Sequence, residues 1–146
     1  MSTEPILYAT LWRRLLAALY DLLPLAGLLM IATALAVLLT RLLVPVERVD
    51  LVLRSGWPHV LLQAWLGLLT LLYYVYSWRR GGQTIGMRAW KIAVVDTRGA
   101  LSWRAAIVRA VVGLFLPGLM WCLVDPQRRA LHDRVAGTVV VHRPRR

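Results

Sequence analysis

Hydrophobic positions in this chain gather into long uninterrupted segments. The first covers residues 15–43 and contains a charge-free stretch of 19 residues from Leu22 to Thr40. The second covers residues 57–78 and lies inside a run of 24 residues, 55–78, without a formal charge. A helix of about 20 apolar residues crosses the ~30 Å hydrocarbon core of a bilayer. The pattern therefore predicts two transmembrane helices.

A third apolar segment covers residues 105–124 and is interrupted by Pro117-Gly118. Proline removes a backbone donor and clashes with the preceding turn, so a helix kinks or breaks there. We expect two short helical pieces, at 110–116 and 119–124, with a hinge between them. The segment is either a plain third span or a broken, re-entrant segment that leaves on the side it entered.

The distribution of basic residues favours the re-entrant alternative. The 79–104 loop holds six Lys and Arg against one Asp, and the 125–146 tail holds six Arg against two Asp. The 41–54 connection, which we expect to be short and polar, holds three Arg against two acidic residues. Because basic loops stay inside, the 79–104 loop and the N-terminus are predicted to be cytoplasmic. A third full span would export the basic tail, whereas a re-entrant segment covered by protein keeps it cytoplasmic.

Two short stretches outside the apolar segments are rich in β-branched residues. Residues 91–96 precede a turn signal at Thr97-Arg98-Gly99, and Thr138 to Val141 form a similar run near the C-terminus. Isolated strands satisfy their backbone groups by pairing, so we expect these two to pair. The predicted fold is an all-α membrane protein in one domain, 1–146: two transmembrane helices, a broken or re-entrant third segment and a small two-stranded cytoplasmic β element.

Composition supports the membrane interpretation. Hydrophobic residues make up 59% of the chain, charged residues 17%, and the net charge is +11. The mean hydropathy is +0.60. A soluble domain of this size cannot bury so much apolar surface. The basic excess is typical of proteins that bind nucleic acid or anionic membranes, and the apolar segments favour the membrane and exclude a nucleic-acid partner. A cleaved signal peptide is disfavoured because Asp21 and Pro24 interrupt its hydrophobic region, which is also too long.

Asp21 is the most costly residue of the predicted spans. If Trp12 lies at the membrane interface, nine residues of helix put Asp21 roughly 13 Å deeper. A carboxylate at that depth is paired, protonated or faces a polar cavity. Arg14 lies two turns earlier on the same face, too far along the axis (~10 Å) for a direct contact, and Arg109 is another candidate partner. A structural ion pair between helices and a role in ion or proton relay both remain open.

Other chemistry is weakly supported. His132-Asp133 resembles a metal-binding pair, but the remaining histidines are His59 and His142, and a metal site needs three or four converging ligands. The glycine-rich stretch 81–86 lacks the Gly-Lys-Ser/Thr ending of a phosphate-binding loop. No serine has a His–carboxylate pair placed to activate it. Taken together, these observations lead us to expect no enzyme activity, no metal and no cofactor.

Several motifs together resemble one family. They are Trp12-Arg13-Arg14-Leu15 with Asp21, Gly82-Gln83-Thr84-Ile85-Gly86, Arg109, and Leu131-His132-Asp133-Arg134 with Gly137-Thr138-Val139-Val140. Over roughly residues 10 to 141 the chain resembles the RDD family of bacterial multi-pass membrane proteins, named for one arginine and two aspartates. The matching positions are Arg14, Asp21 and Asp133. Met87-Arg88 is a departure, because the family more often shows Gly-Lys there.

The resemblance implies a protein of the bacterial inner membrane, with transport or cation/proton exchange as proposed activities. One hypothesis is therefore exchange of an unknown ion or small ligand, with Asp21 as the titrating carboxylate beside Arg14 or Arg109. Two or three spans are too few to enclose a path, so this requires a homo-oligomer. The alternative is a non-catalytic membrane module that anchors or assists a partner complex, or binds anionic lipid headgroups.

Overall fold

The computed structural model describes residues 7–97, 99–113 and 116–142. Most of this chain is helical. In order, the elements are α1 (Leu11–Leu43), α2 (Val46–Arg54), α3 (Gly56–Gly81), α4 (Ile85–Ala89), β1 (Ile92–Asp96), α5 (Trp103–Gly113), a 3₁₀ helix (Leu116–Leu123), α6 (Leu131–Ala136) and β2 (Thr138–His142).

Helices α1 and α3 are long and apolar enough to cross a membrane. At 33 and 26 residues they extend for about 50 Å and 39 Å. They run antiparallel, because the first part of α1 contacts the last part of α3 through Asp21 and Tyr73. The most apolar 18-residue windows are 0% buried in α1 and 6% buried in α3. The core helices of a soluble protein would be covered, so this exposed apolar surface suits lipid and confirms the prediction of two helices of spanning length and composition.

The 41–54 connection is more ordered than expected. Residues 46–54 form helix α2, in which Val49 is buried while the charged Glu47, Arg48 and Arg54 are exposed. The apolar and charged positions of this segment recur with a helical period, so it forms an amphipathic helix at the far end of α1.

The third apolar segment changes from an α-helix to a 3₁₀ helix. Helix α5 ends at Gly113, and the 3₁₀ helix from Leu116 to Leu123 contains Pro117. Of the expected helical pieces, 110–116 is α-helical as far as Gly113 and 119–124 is 3₁₀ helix as far as Leu123, while residues 114–115 lie outside the described residues. Pro117 is the second residue of the 3₁₀ helix, where a missing N–H donor breaks no bond of that helix. With 11 residues, α5 is about 16 Å long and too short to span a bilayer.

The two predicted strands pair. β1 and β2 are antiparallel, with register from Ile92 opposite His142 to Asp96 opposite Thr138. Residues 7–9 add to the free edge of β2, which was not predicted. The Ala9 N–H donates to the Val140 carbonyl at 2.9 Å, and the His142 N–H donates to the Leu7 carbonyl at 2.7 Å.

These pairings bring the beginning of α1, the end of α3 and the C-terminal strand to one end of the molecule. We call this end the cap: residues 7–9, α4, β1, α6 and β2. Helix α5 and the 3₁₀ helix both contact α6 of the cap. The buried hydrophobic core lies where the cap meets the helices, around Ala17, Trp78, Ile92 and Val140.

Candidate functional site

Asp21 lies on α1 where that helix meets α3 and α4. It is 2% exposed. The Tyr73 hydroxyl donates to Oδ1 at 2.8 Å, the Thr84 hydroxyl donates to Oδ2 at 2.5 Å, and the Gly86 backbone N–H donates to Oδ1 at 2.8 Å. All three donors are neutral. Asp21 therefore fastens α3 and α4 to α1 by hydrogen bonds rather than by an ion pair.

The glycine-rich motif shapes the other half of this contact. Thr84 caps α4, accepting a hydrogen bond from the Met87 N–H at 3.2 Å while it donates to Asp21. A Cβ atom on Gly86 would stand 2.0 Å from the Ala17 carbonyl oxygen. Only glycine lets α4 approach α1 this closely. The Gln83 side-chain amide donates to the Ile92 carbonyl at 2.8 Å, which ties the motif to β1.

Asp133 lies at the start of α6 and is fully buried. Arg14 donates to Oδ2 and Arg109 donates to Oδ1, each from Nη1. The Ala130 N–H donates to Oδ2 at 3.0 Å, which caps the helix from its third position. Arg109 also donates to the Thr138 hydroxyl at 3.0 Å. This ionic cluster joins α1, α5, α6 and β2.

A polar turn supplies a second acceptor for Arg14. Its Nη2 donates to the Arg128 carbonyl at 2.6 Å. Asp125 holds that turn by accepting from the N–H groups of Gln127 and Arg129 at 3.2 and 3.0 Å. Arg128 itself has φ 50°, which directs the chain back toward α6.

The ionic cluster changes the acidity of its members. Burial raises the pKa of Asp133, but the positive charges of Arg109 and Arg14 outweigh it and hold that pKa below its usual range. His132 lies 3.6 Å from Asp133, between Nε2 and Oδ1. Burial and the nearby Arg109 guanidinium lower the pKa of His132 to about 4, so its imidazole is neutral at pH 7.

A cavity of about 400 Å³ separates the two carboxylate clusters. Its polar lining includes Arg14, Asp21, Arg109 and His132. The rest of the lining is mostly apolar or aromatic side chains of α1, α3 and α5. Among the described residues, no group of three or more His, Cys, Asp or Glu side chains is placed to hold a metal ion.

The structure divides the predicted site residues between two clusters. Arg14, Arg109, His132 and Asp133 meet in one, while Asp21, Thr84 and Gly86 meet in the other. Gln83 lies beside the second cluster, between α3 and α4, and bonds to β1. The expectation that Arg109 is a partner of Asp21 is wrong, and Arg14 also bonds to Asp133 rather than to Asp21. Both arginines are bound to Asp133, and Asp21 is satisfied by neutral donors.

Sequence reasoning missed two participants. The Tyr73 hydroxyl donates to Asp21, a contact that the sequence pattern does not indicate. Thr138 was interpreted only as a strand residue, yet its hydroxyl accepts from Arg109. The sequence shows only that each residue carries a hydroxyl group beside an apolar stretch. It does not show which charged side chain that hydroxyl contacts.

The residues of both clusters were compared with known families through the sequence of the whole chain. The family model of the RDD family matches residues 8–137, which include every residue of both carboxylate clusters except Thr138. No curated protein and no solved structure matches the chain. Together with the two apolar helices, the match indicates a membrane protein. The chain belongs to the RDD family.

Proposed function

We propose that this protein is a non-catalytic membrane module whose basic cap binds anionic lipid headgroups at the cytoplasmic face of the inner membrane and anchors or assists a partner complex there. One observation carries the proposal: Asp21 and Asp133 each receive three hydrogen bonds from the chain itself. The carboxylates of Asp21 and Asp133 therefore hold the cap on the two long helices.

These hydrogen bonds argue against either aspartate binding and releasing a transported ion. A carboxylate that binds and releases ions has to exchange its ligands repeatedly. Breaking a hydrogen bond to a buried charged group costs about 1.5–3 kcal/mol. Opening either cluster would also detach the cap elements that depend on it, such as α4 on Asp21.

The surface charge of the cap suits an anionic membrane. Arg88 in α4 and Lys91 between α4 and β1 are exposed, as is Arg104 at the start of α5. Basic residues near an anionic leaflet contribute about 1 kcal/mol each to binding. Arg41 and Arg48 are equally exposed at the opposite end, where the acidic Glu47 is also exposed.

Lipid selectivity tests the proposal. The chain is reconstituted in mixed phosphatidylglycerol and phosphatidylcholine vesicles, and spin-labelled lipid measures which headgroup is held at the protein surface. Replacing Arg88, Lys91 and Arg104 by Gln should reduce selectivity for phosphatidylglycerol. The matched control replaces Arg41, Arg48 and Arg54 by Gln and should change it little. Equal effects of the two triple variants would contradict the proposal.

Transport or cation/proton exchange by a homo-oligomer is the second candidate. It is favoured by the cavity, because Arg14, Asp21 and Arg109 all line it. A proteoliposome flux assay under sodium, potassium or proton gradients separates the candidates. The module predicts no flux from the wild type. Flux from the wild type that is lost in a folded Asp21→Asn variant would establish exchange instead.

The proposed topology places both termini in the cytoplasm. The pairing of β2 with residues 7–9 and with β1 supports it, because all three then share one side of the membrane. A cysteine introduced at the exposed Arg134, in a Cys122→Ala background, should resist an impermeant maleimide in right-side-out cells. Labelling from outside would overturn this topology.

A further inference from the structure

Three buried N–H groups around one cavity lack an acceptor among the described residues: Arg14 Nε, Arg109 Nε and Trp78 Nε1. The three residues are 6%, 2% and 7% exposed, and all of them line the 400 Å³ cavity. An unsatisfied buried donor costs about 1–3 kcal/mol. Three such donors around one cavity form a site that lacks its acceptor.

The charge at this end of the cavity favours an anionic acceptor. The guanidinium groups of Arg14 and Arg109 share the single carboxylate of Asp133, so one positive charge is left over. The Arg109 guanidinium lies over the Trp78 ring, 4.8 Å from its centroid, which keeps these two donors adjacent. The other carboxylate, Asp21, lies about 10 Å from Arg14 along α1 and already accepts three hydrogen bonds.

The other residues that line the cavity indicate the polarity and size of the rest of the ligand. Leu71, Met87 and Ala110 present apolar surface to the same cavity. A volume of 400 Å³ is within the range of sites for small molecules. A group with an anionic head and an apolar chain therefore complements both ends of the cavity.

We propose that this cavity binds one phosphate group, with Arg14 Nε, Arg109 Nε and Trp78 Nε1 as its donors. When the phosphate belongs to a lipid headgroup, the adjoining acyl chain lies against Leu71 and Met87. Free phosphate offers the same oxygen acceptors. The site lies inside the protein, and it does not depend on the exposed basic residues of the proposed function.

Trp78→Phe is the sharpest test, because it removes one proposed donor and keeps most of the ring. The Trp78 N–H makes no hydrogen bond among the described residues, so stability should change little. Trp90→Phe is the matched control, since the Trp90 N–H is also buried and without a partner but does not line the cavity. Calorimetry in neutral detergent measures binding of dioctanoyl phosphatidate to the full chain. Trp78→Phe should weaken it about tenfold, and Trp90→Phe should leave it unchanged.

A second variant blocks the cavity without touching the donors. A Cβ on Gly113 would meet only His132, at 4.0 Å, so Gly113→Leu places its side chain in the cavity and should abolish phosphatidate binding. In the Arg88, Lys91 and Arg104 triple variant, which loses surface charge and keeps the cavity, Trp78→Phe should still weaken phosphatidate binding about tenfold. A failure of the lipid-selectivity experiment is thereby distinguished from a failure here.

Two further probes identify the source of the phosphate. Tight phosphatidate binding with weak inorganic phosphate binding supports a lipid headgroup. Inorganic phosphate that binds equally well, and loses affinity in Trp78→Phe, supports the site with free phosphate as its ligand. The proposal is overturned if neither anion binds, if uncharged dioctanoylglycerol binds as tightly as phosphatidate, or if Trp90→Phe weakens binding as much as Trp78→Phe.

Discussion

Asp21 and Asp133 are buried to the same degree, and each accepts three hydrogen bonds, but the chemistry around them differs. Two guanidinium groups and one backbone N–H surround Asp133. Two hydroxyl groups and one backbone N–H surround Asp21. The guanidinium groups around Asp133 need a negative charge to balance them. The neutral donors around Asp21 need only oxygen atoms that accept hydrogen bonds.

The difference follows from what each cluster joins. Asp133 draws together segments separated by more than 100 residues, since its partner Arg14 begins α1 while Asp133 lies in α6. Both of its arginines are buried and would be costly without a counter-charge. Asp21 joins α1 to helices that approach closely, and there short neutral donors fit better than long arginine side chains.

Asp133→Asn should produce the largest effect. An amide leaves two buried guanidinium groups without a counter-charge, and breaking a buried ion pair in this way costs about 3–5 kcal/mol. The free energy of unfolding is measured by SDS titration in mixed micelles. A loss below about 1 kcal/mol would show that the negative charge of Asp133 is not needed.

Acid should affect the ionic cluster next most strongly. The folded-state pKa of His132, about 4, lies below its ordinary value of 6.5, so the unfolded chain binds this proton first. Stability is therefore complete above pH 6.5 and falls as the pH drops toward 4, by roughly 3 kcal/mol. Asp133 stays ionised over this range because its own pKa lies lower still.

The intrinsic fluorescence of the seven tryptophans follows this acid effect, because Trp78 and Trp90 pack in the folded core. The melting temperature should fall between pH 6.5 and 4 in the wild type. His132→Asn should flatten that dependence. An equally steep decline in His132→Asn would assign the acid sensitivity to another group.

The cluster around Asp21, whose hydrogen-bond donors are all neutral, is tested first by replacing Gly86. Gly86→Ala places a Cβ 2.0 Å from the Ala17 carbonyl oxygen, so α4 must move away from Asp21. Overpacking of this kind costs about 1–3 kcal/mol. Gly27→Ala is the control within α1, because a Cβ there meets nothing within 4 Å. Its higher helix propensity should make that variant neutral or slightly more stable. Equal behaviour of the two variants would contradict the close approach of α4.

The sequence predicts the membrane part of this fold better than the cap. Long charge-free runs determine helices α1 and α3 because lipid imposes one requirement, apolar length. Strand pairing was also predictable, since two β-branched runs outside the apolar segments satisfy backbone groups by pairing with each other. Helix α2 was missed because it is short and its charges suggested a connection.

The site residues were predictable, whereas their partners were not. The family resemblance identified Arg14, Asp21 and Asp133. Which arginine meets which aspartate depends on the rotation of α1 against α3 and on where α5 contacts α6. Neither quantity follows from spacing along the chain. Tyr73 lies 52 residues from Asp21, and only tertiary packing reveals that its hydroxyl faces that carboxylate.

Asp21→Asn should produce the smallest loss and is the direct counterpart of Asp133→Asn. The amide oxygen can still accept from Tyr73 and Gly86, while the amide nitrogen can donate to the Thr84 hydroxyl after that hydroxyl rotates. The count of hydrogen bonds is preserved and only the charge assistance disappears, so we expect a loss of about 1–2 kcal/mol in the same SDS titration. Asp21→Leu removes all three acceptor interactions and should cost more than Asp21→Asn. If Asp21→Asn is instead as damaging as Asp133→Asn, the charge of Asp21 is needed for folding, and the distinction between an ionic and a neutral cluster fails.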